Sequence, residues 1–124
     1  MKVLVVDDSK SIRQIERRYL AQMGYEVVEA ENGEEALKVL RENPDIRLIL
    51  LDWHMPVMNG YEFLKKVREN KDWDHIKVMM VTTENQEKSV IDAIMAGANE
   101  YLMKPFDQEM LENKIRWLLE EAFS

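Results

Sequence analysis

The chain has 124 residues, a formal net charge of −7, 46% hydrophobic residues and no cysteine. That length holds one domain with a real core and no second folded module. The acidity argues against a nucleic-acid surface and an anionic membrane, both of which need basic patches, and the missing cysteines exclude disulfides and thiolate metal sites.

In chain order, short apolar runs alternate with segments of helical period. Residues 3–6 read as a first strand, and the acids Asp7 and Asp8 end that run far too early for a signal peptide. Ile12, Ile15, Tyr19 and Met23 then recur at spacings of three and four up to Gly24, a C-cap signal. Residues 25–30 alternate more, as near a sheet edge. Asn32-Gly33-Glu34-Glu35 offers an N-cap with a capping-box pattern, Ala36, Leu37 and Leu40 make an apolar face, and Asn43-Pro44 stops that helix.

Residues 48–51 form a third apolar run, followed by a loop over 52–60 and a helix carrying Tyr61, Leu64 and Val67. A polar connector over 69–75 leads to a fourth run at 78–81. Val90, Ile91, Ile94 and Ala98 mark the next helix, with Gly97 near its end. After the run at 101–103, the last helix carries Leu111, Ile115, Leu118 and Leu119. Five such β/α units with short links imply an open parallel sheet with helices on both faces, in one unit over residues 1–124. No repeat, interdomain linker, attached output domain or apolar stretch of transmembrane length is expected.

Runs of this kind are buried on both faces, and ligands of such sheets bind outside the carboxyl ends of the strands. The ends are chemically distinctive: Asp7 and Asp8 after the first run, Asp52 after the third, Thr82 after the fourth, and Lys104-Pro105 after the fifth. Asp7-Asp8 alone could be a helix cap with a solvated acid. With Asp52 beside them, three acids raise each other's pKa unless a cation neutralises them, and a hard divalent ion such as Mg²⁺ takes carboxylates, waters and phosphate. Lys104 could be an ordinary solvated charge; facing acids, it pairs with a carboxylate and then with a phosphoryl oxygen. The X-Pro bond after it has access to the cis form. Thr82 could be a plain strand terminator or a phosphate donor.

These motifs carry a resemblance. Val6-Asp7-Asp8-Ser9, Leu51-Asp52-Trp53-His54-Met55-Pro56, Val81-Thr82-Thr83 and Tyr101-Leu102-Met103-Lys104-Pro105-Phe106 look like the receiver domain of bacterial two-component signalling. Within that family the chain is most similar to stand-alone CheY-like chemotaxis regulators, especially through Asp52-Trp53 and Tyr101. The resemblance spans the whole chain and implies a flavodoxin-like (βα)5 fold with strand order 2-1-3-4-5, which makes the first and third strands neighbours.

It also implies a Mg²⁺-dependent switch. Asp52 would accept a phosphoryl group from a histidine kinase. Asp8, Asp52 and the backbone carbonyl of His54 would hold Mg²⁺, with Asp7 helping through water, and Lys104 would offset phosphoryl charge. Thr82 would bond the phosphoryl oxygen and move inward, and Tyr101 would follow it to a buried rotamer. Helix four, strand five and helix five would then be re-faced for a target, a flagellar motor switch protein or another partner, with a phosphatase as a further partner. The protein would be a cytoplasmic switch that catalyses only its own phosphorylation and dephosphorylation, with no nucleic-acid or membrane partner.

Some positions stand apart. Thr83 takes a place where the family commonly has Ala or Gly, and with His54 and Glu84 it is expected to tune hydrolysis of the acyl phosphate. One histidine without a second nearby makes a poor zinc site, so the His54 side chain is expected to line the rim, and His75 to be solvated. Asn59-Gly60 should turn the chain as Asp-Gly does. Trp117 is expected to be partly buried against helix four, with exposure for docking as the alternative. An Mg²⁺-dependent aspartyl-phosphate phosphatase is disfavoured because His54 stands where its second acid is needed. A flavodoxin is disfavoured because acids occupy its phosphate loop, and a dinucleotide binder because Gly-x-Gly-x-x-Gly is missing. A single-domain receiver in another kinase pathway is the alternative to chemotaxis.

Overall fold

A computed structural model describes the backbone of residues 1–83 and 87–123 and the side chains of residues 1–83 and 90–119. Its elements are β1 (Lys2–Val6), α1 (Lys10–Gln22), β2 (Glu26–Ala30), α2 (Gly33–Glu42), β3 (Ile46–Leu51), α3 (Gly60–Glu69), β4 (Lys77–Thr82), α4 (Glu87–Met95), β5 (Glu100–Met103) and α5 (Gln108–Phe123). The strands form one parallel sheet in the order β2-β1-β3-β4-β5. No described helix is long and apolar enough to cross a membrane.

The period-two alternation of the strands divides the interior. Val3, Val5, Leu48 and Leu50 point to a core shared with Leu20 of α1 and Leu111, Ile115 and Leu118 of α5. Leu4, Val6, Ile49 and Leu51 point to the other core, with Ala36 and Leu40 of α2, Phe63 and Leu64 of α3 and Ala93 of α4. Both faces are covered, which is why the central strands are continuous apolar runs rather than alternating ones. Each fully buried Leu or Phe contributes roughly 1.5–3 kcal/mol of transfer free energy.

Several strands begin earlier than their apolar runs. Lys2 and Lys77 enter as part-buried residues, Arg47 is exposed between Ile46 and Leu48, and Glu100 precedes Tyr101. Long polar side chains carry their heads to solvent while their backbone joins the ladder. Lys2 reaches Glu26 at 3.2 Å and Asp45 at 3.1 Å. The polar connector contains a 3-10 turn, Lys71–Trp73, capped by Asn70. His75 within it is exposed.

Two helix starts differ from their sequence signals. Asn32 caps α2 by accepting from the Glu35 N–H at 2.9 Å, but the Glu35 carboxylate takes the N–H of Glu31 instead of completing the box. The complete capping box lies at α3, between Asn59 and Glu62, in the stretch that reads as a plain turn. Gly24 follows α1 at φ 87°, a conformation that favours glycine.

Strand register decides which side chains meet at the carboxyl edge of the sheet. Val6 lies opposite Leu51, so Asp7 and Asp52, one residue on, leave neighbouring strands side by side. Thr82 lies opposite Met103, so Lys104 emerges next to it.

Candidate functional site

Hydrogen bonds hold the β1–α1 turn on both sides of Asp8. Asp7 is 2% exposed; its N–H donates to the Ala30 carbonyl at 3.2 Å, and its Oδ1 accepts the Ser9 N–H at 2.8 Å. Ser9 then caps α1 by accepting from the Ile12 N–H at 3.3 Å. Oδ2 of Asp7 faces Nζ of Lys104 at 2.6 Å. Asp8, next in the chain, is exposed.

Asp52 ends β3 with its N–H on the Val6 carbonyl at 2.9 Å, and its Oδ1 accepts the Trp53 N–H at 2.9 Å. The same ammonium of Lys104 stands 3.7 Å from Oδ1 of Asp52. Gly60, the first residue of α3, lies against this strand end: a Cβ there would come within 2.3 Å of the Asp52 carbonyl oxygen. Only glycine permits that approach. The loop between them also contains Val57 at φ 68°, an uncommon conformation for a β-branched residue.

Lys104 donates its N–H to the carbonyl of Thr82 at 3.0 Å, and the Lys104–Pro105 bond is cis. Thr82 is buried and Thr83 exposed. His54 is exposed and lines an open cleft of about 390 Å³ with Asp8, Met55, Pro56 and Asn59. Glu84 lies outside the described residues. Tyr101 is half-buried on the edge strand β5, packed against the core beneath α2, α3 and α4.

The carboxylates of Asp7, Asp8 and Asp52 each offer an oxygen within 4.8 Å of the others. These are hard donors, and the exposed Asp8 leaves one side open to water. The set fits an oxygen-seeking divalent cation that keeps part of its hydration. Electrostatics point the same way. Burial, then the charge of Asp7, pushes the Asp52 carboxyl above the usual aspartate range. Burial would lower the pKa of Lys104, but its hydrogen bond to Asp7 and the charges of Asp52, Asp7 and Glu16 raise it, so the ammonium stays charged.

The last of these residues belongs to none of the sequence motifs. Glu16 is 1% exposed on the sheet-facing side of α1. Burial, reinforced by Asp7, pushes its carboxyl well above the glutamate range, against the opposing pull of Lys104. A fourth acid therefore lies within electrostatic reach of the crevice. Its sequence signal is the stripe of Ile12, Tyr19, Leu20 and Met23, in which an acid holds a core position. Arg13, also unremarked in sequence, donates from Nη1 to the carbonyl of Asp7.

A second region differs in character. On α4, β5 and α5, Ile91, Ile94, Met95, Met103, Met110 and Trp117 are exposed, Met95 by 82% and Trp117 by 59%. Trp117 is thus exposed, not partly buried against helix four as expected, because Leu111, Ile115 and Leu118 take the sheet-facing side of α5. Lys114 of α5 reaches Glu100 of β5 at 3.1 Å across this face.

Comparison with known proteins agrees with this geometry. The response regulator receiver domain model matches residues 3–116. A chemotaxis protein CheY homolog of Campylobacter jejuni is 44% identical over 120 residues, covering 96% of this chain and 92% of that protein. Chemotaxis protein CheY1 of Helicobacter pylori is also 44% identical, with 96% and 97% covered. The solved structure of Vibrio cholerae chemotaxis protein CheY4 superposes with a TM-score of 0.88 at 39% identity, over 94% of this chain and 96% of that one.

Proposed function

The chain belongs to the response regulator receiver domain family, whose members act in phosphorelay signalling, and from that premise we propose that Asp52 is its phospho-acceptor in a Mg²⁺-dependent switch. One observation carries the reading: three carboxylates with oxygens within 4.8 Å of one another share a lysine that stands 2.6 Å from one and 3.7 Å from another. Such a site concentrates negative charge and keeps one positive charge beside it.

In this reading an Asp52 carboxylate oxygen attacks the phosphorus of a phosphohistidine on a sensor kinase. The bond from phosphorus to the imidazole nitrogen breaks, the imidazole takes a proton, and an acyl phosphate remains. Asp8, Asp52 and the His54 carbonyl would hold Mg²⁺, with Asp7 helping through water, and the bound ion would supply charge neutralisation on the phosphoryl oxygens. Lys104 contributes the second positive charge, and Thr82 a hydroxyl donor. The added phosphoryl charge gives Lys104 and Thr82 a new partner, which biases one arrangement of their loops. Tyr101, on the strand that leads to Lys104, relays that bias to α4, β5 and α5. His54 and Thr83 on the rim, and Glu84 by its place two residues after Thr82 in sequence, set the lifetime of the acyl phosphate. The protein so described is one receiver unit over residues 1–124, catalysing only its own phosphorylation and dephosphorylation in the cytoplasm.

The relatives are named as chemotaxis proteins, which supports chemotaxis as the pathway. The target proposed with it is a flagellar motor switch protein, and a phosphatase ends the signal. The exposed apolar side chains on α4, β5 and α5 suit a protein target, since patches of this kind mark protein contacts. Acetyl phosphate with Mg²⁺ should label the wild type with a hydroxylamine-labile phosphoryl group and leave Asp52→Asn unlabelled. A labelled Asp52→Asn protein, or labelling indifferent to chelation of Mg²⁺, overturns the assignment.

A further inference from the structure

The exposed Asp8 carboxylate can serve a cation only if the backbone holds it in place. Its orientation depends on the peptide that joins it to Asp7, and the carbonyl of that peptide accepts a hydrogen bond from Nη1 of Arg13. The same guanidinium donates from Nε to Oε1 of Glu29 on β2 at 3.0 Å. The other carboxylate oxygen of Glu29 receives Arg17 at 2.7 Å. Arg13 has a side-chain exposure of only 13%. A guanidinium with two well-separated donors engaged at once has little rotational freedom, so β2 in effect grips the Asp7–Asp8 peptide through it.

We propose that Arg13 is a positioning residue of the cation site, anchored by Glu29. It touches none of the carboxylates; it fixes the peptide plane that aims Asp8 at the place where Asp7 and Asp52 converge. An ordinary exposed Arg–Glu pair contributes about 0–1 kcal/mol to stability and nothing to a neighbouring site. Arg17 supplies that comparison within the same network, because it shares Glu29 and makes no contact with Asp7. Groups that orient metal ligands typically change affinity by about 10–100-fold when removed.

This inference rests on the cation-site reading, and calorimetric titration of the unphosphorylated protein with Mg²⁺ separates the two. Arg13→Ala should bind Mg²⁺ about 10–100-fold more weakly than wild type. Arg17→Ala should retain the wild-type affinity while showing a comparable shift in urea midpoint. Glu29→Ala, which leaves Arg13 in place but removes its anchor, should fall between them. If Arg13→Ala is too unstable to assay, Glu29→Ala decides. Wild-type affinity in the assayable variant, with stability alone reduced, overturns the positioning role. A wild type that binds no Mg²⁺ overturns the cation site itself.

Discussion

The crevice at the strand ends and the face on α4, β5 and α5 break the same rule in opposite directions. In the crevice, Asp7, Asp52 and Thr82 are polar and buried, as is Glu16 beside it; on the face, Met95, Ile91 and Trp117 are apolar and exposed. Each departure has a cost, desolvation in the first and exposed apolar area in the second. The crevice restrains its charges with specific partners, Ser9, Trp53 and Lys104. The contrast separates chemistry, which needs fixed geometry, from docking, which needs accessible surface.

If the crevice is as tightly built as this contrast requires, a methyl group added at its floor should do great harm. Gly60→Ala places a Cβ against the backbone of Asp52 and Trp53, which cannot yield as a side chain can. We expect a loss of about 2–3 kcal/mol in urea unfolding, the upper range for overpacking, with slower labelling by acetyl phosphate. Unchanged stability and labelling would mean that the α3 start is free to shift.

Glu16 sharpens the comparison from the other side, as a buried acid among apolar neighbours of α1. Its folded-state pKa lies above its unfolded value, so its stabilising contribution is full below the ordinary glutamate range and declines as pH rises through the raised pKa. Glu16→Leu should therefore be more stable than wild type by about 1–3 kcal/mol at pH 8, with the gain shrinking towards about pH 4.5. A variant less stable than wild type at pH 8 would show that the buried acid contributes to the fold.

The legible parts of this molecule are those in which neighbouring residues in sequence share one task. A buried parallel strand must be apolar throughout, so each run and the polar residue that ends it stand out. Asp7, Asp52, Thr82 and Lys104 are legible in that way, and strand register then brings them alongside one another. Arg13 is invisible in sequence because its anchor, Glu29, lies 16 residues away on a different element, β2. Glu16 escapes notice because it keeps the helical spacing while breaking its polarity. Trp117 has no single placement from sequence because α5 carries two apolar faces, Leu111 with Ile115 and Leu118 on one, Met110 with Trp117 on the other. Packing against the sheet selects the first.

In the proposed switch, chemistry in the crevice changes the face on α4, β5 and α5. Heteronuclear NMR of the protein with Mg²⁺, before and after acetyl phosphate, tests it through the indole N–H of Trp117 and the amides of Tyr101, Ile94 and Met95. These signals should shift on phosphorylation of the wild type and stay in place in Asp52→Asn. Shifts confined to residues around Asp7, Asp52 and Lys104, with Trp117 and α4 unmoved in fully phosphorylated protein, would contradict it.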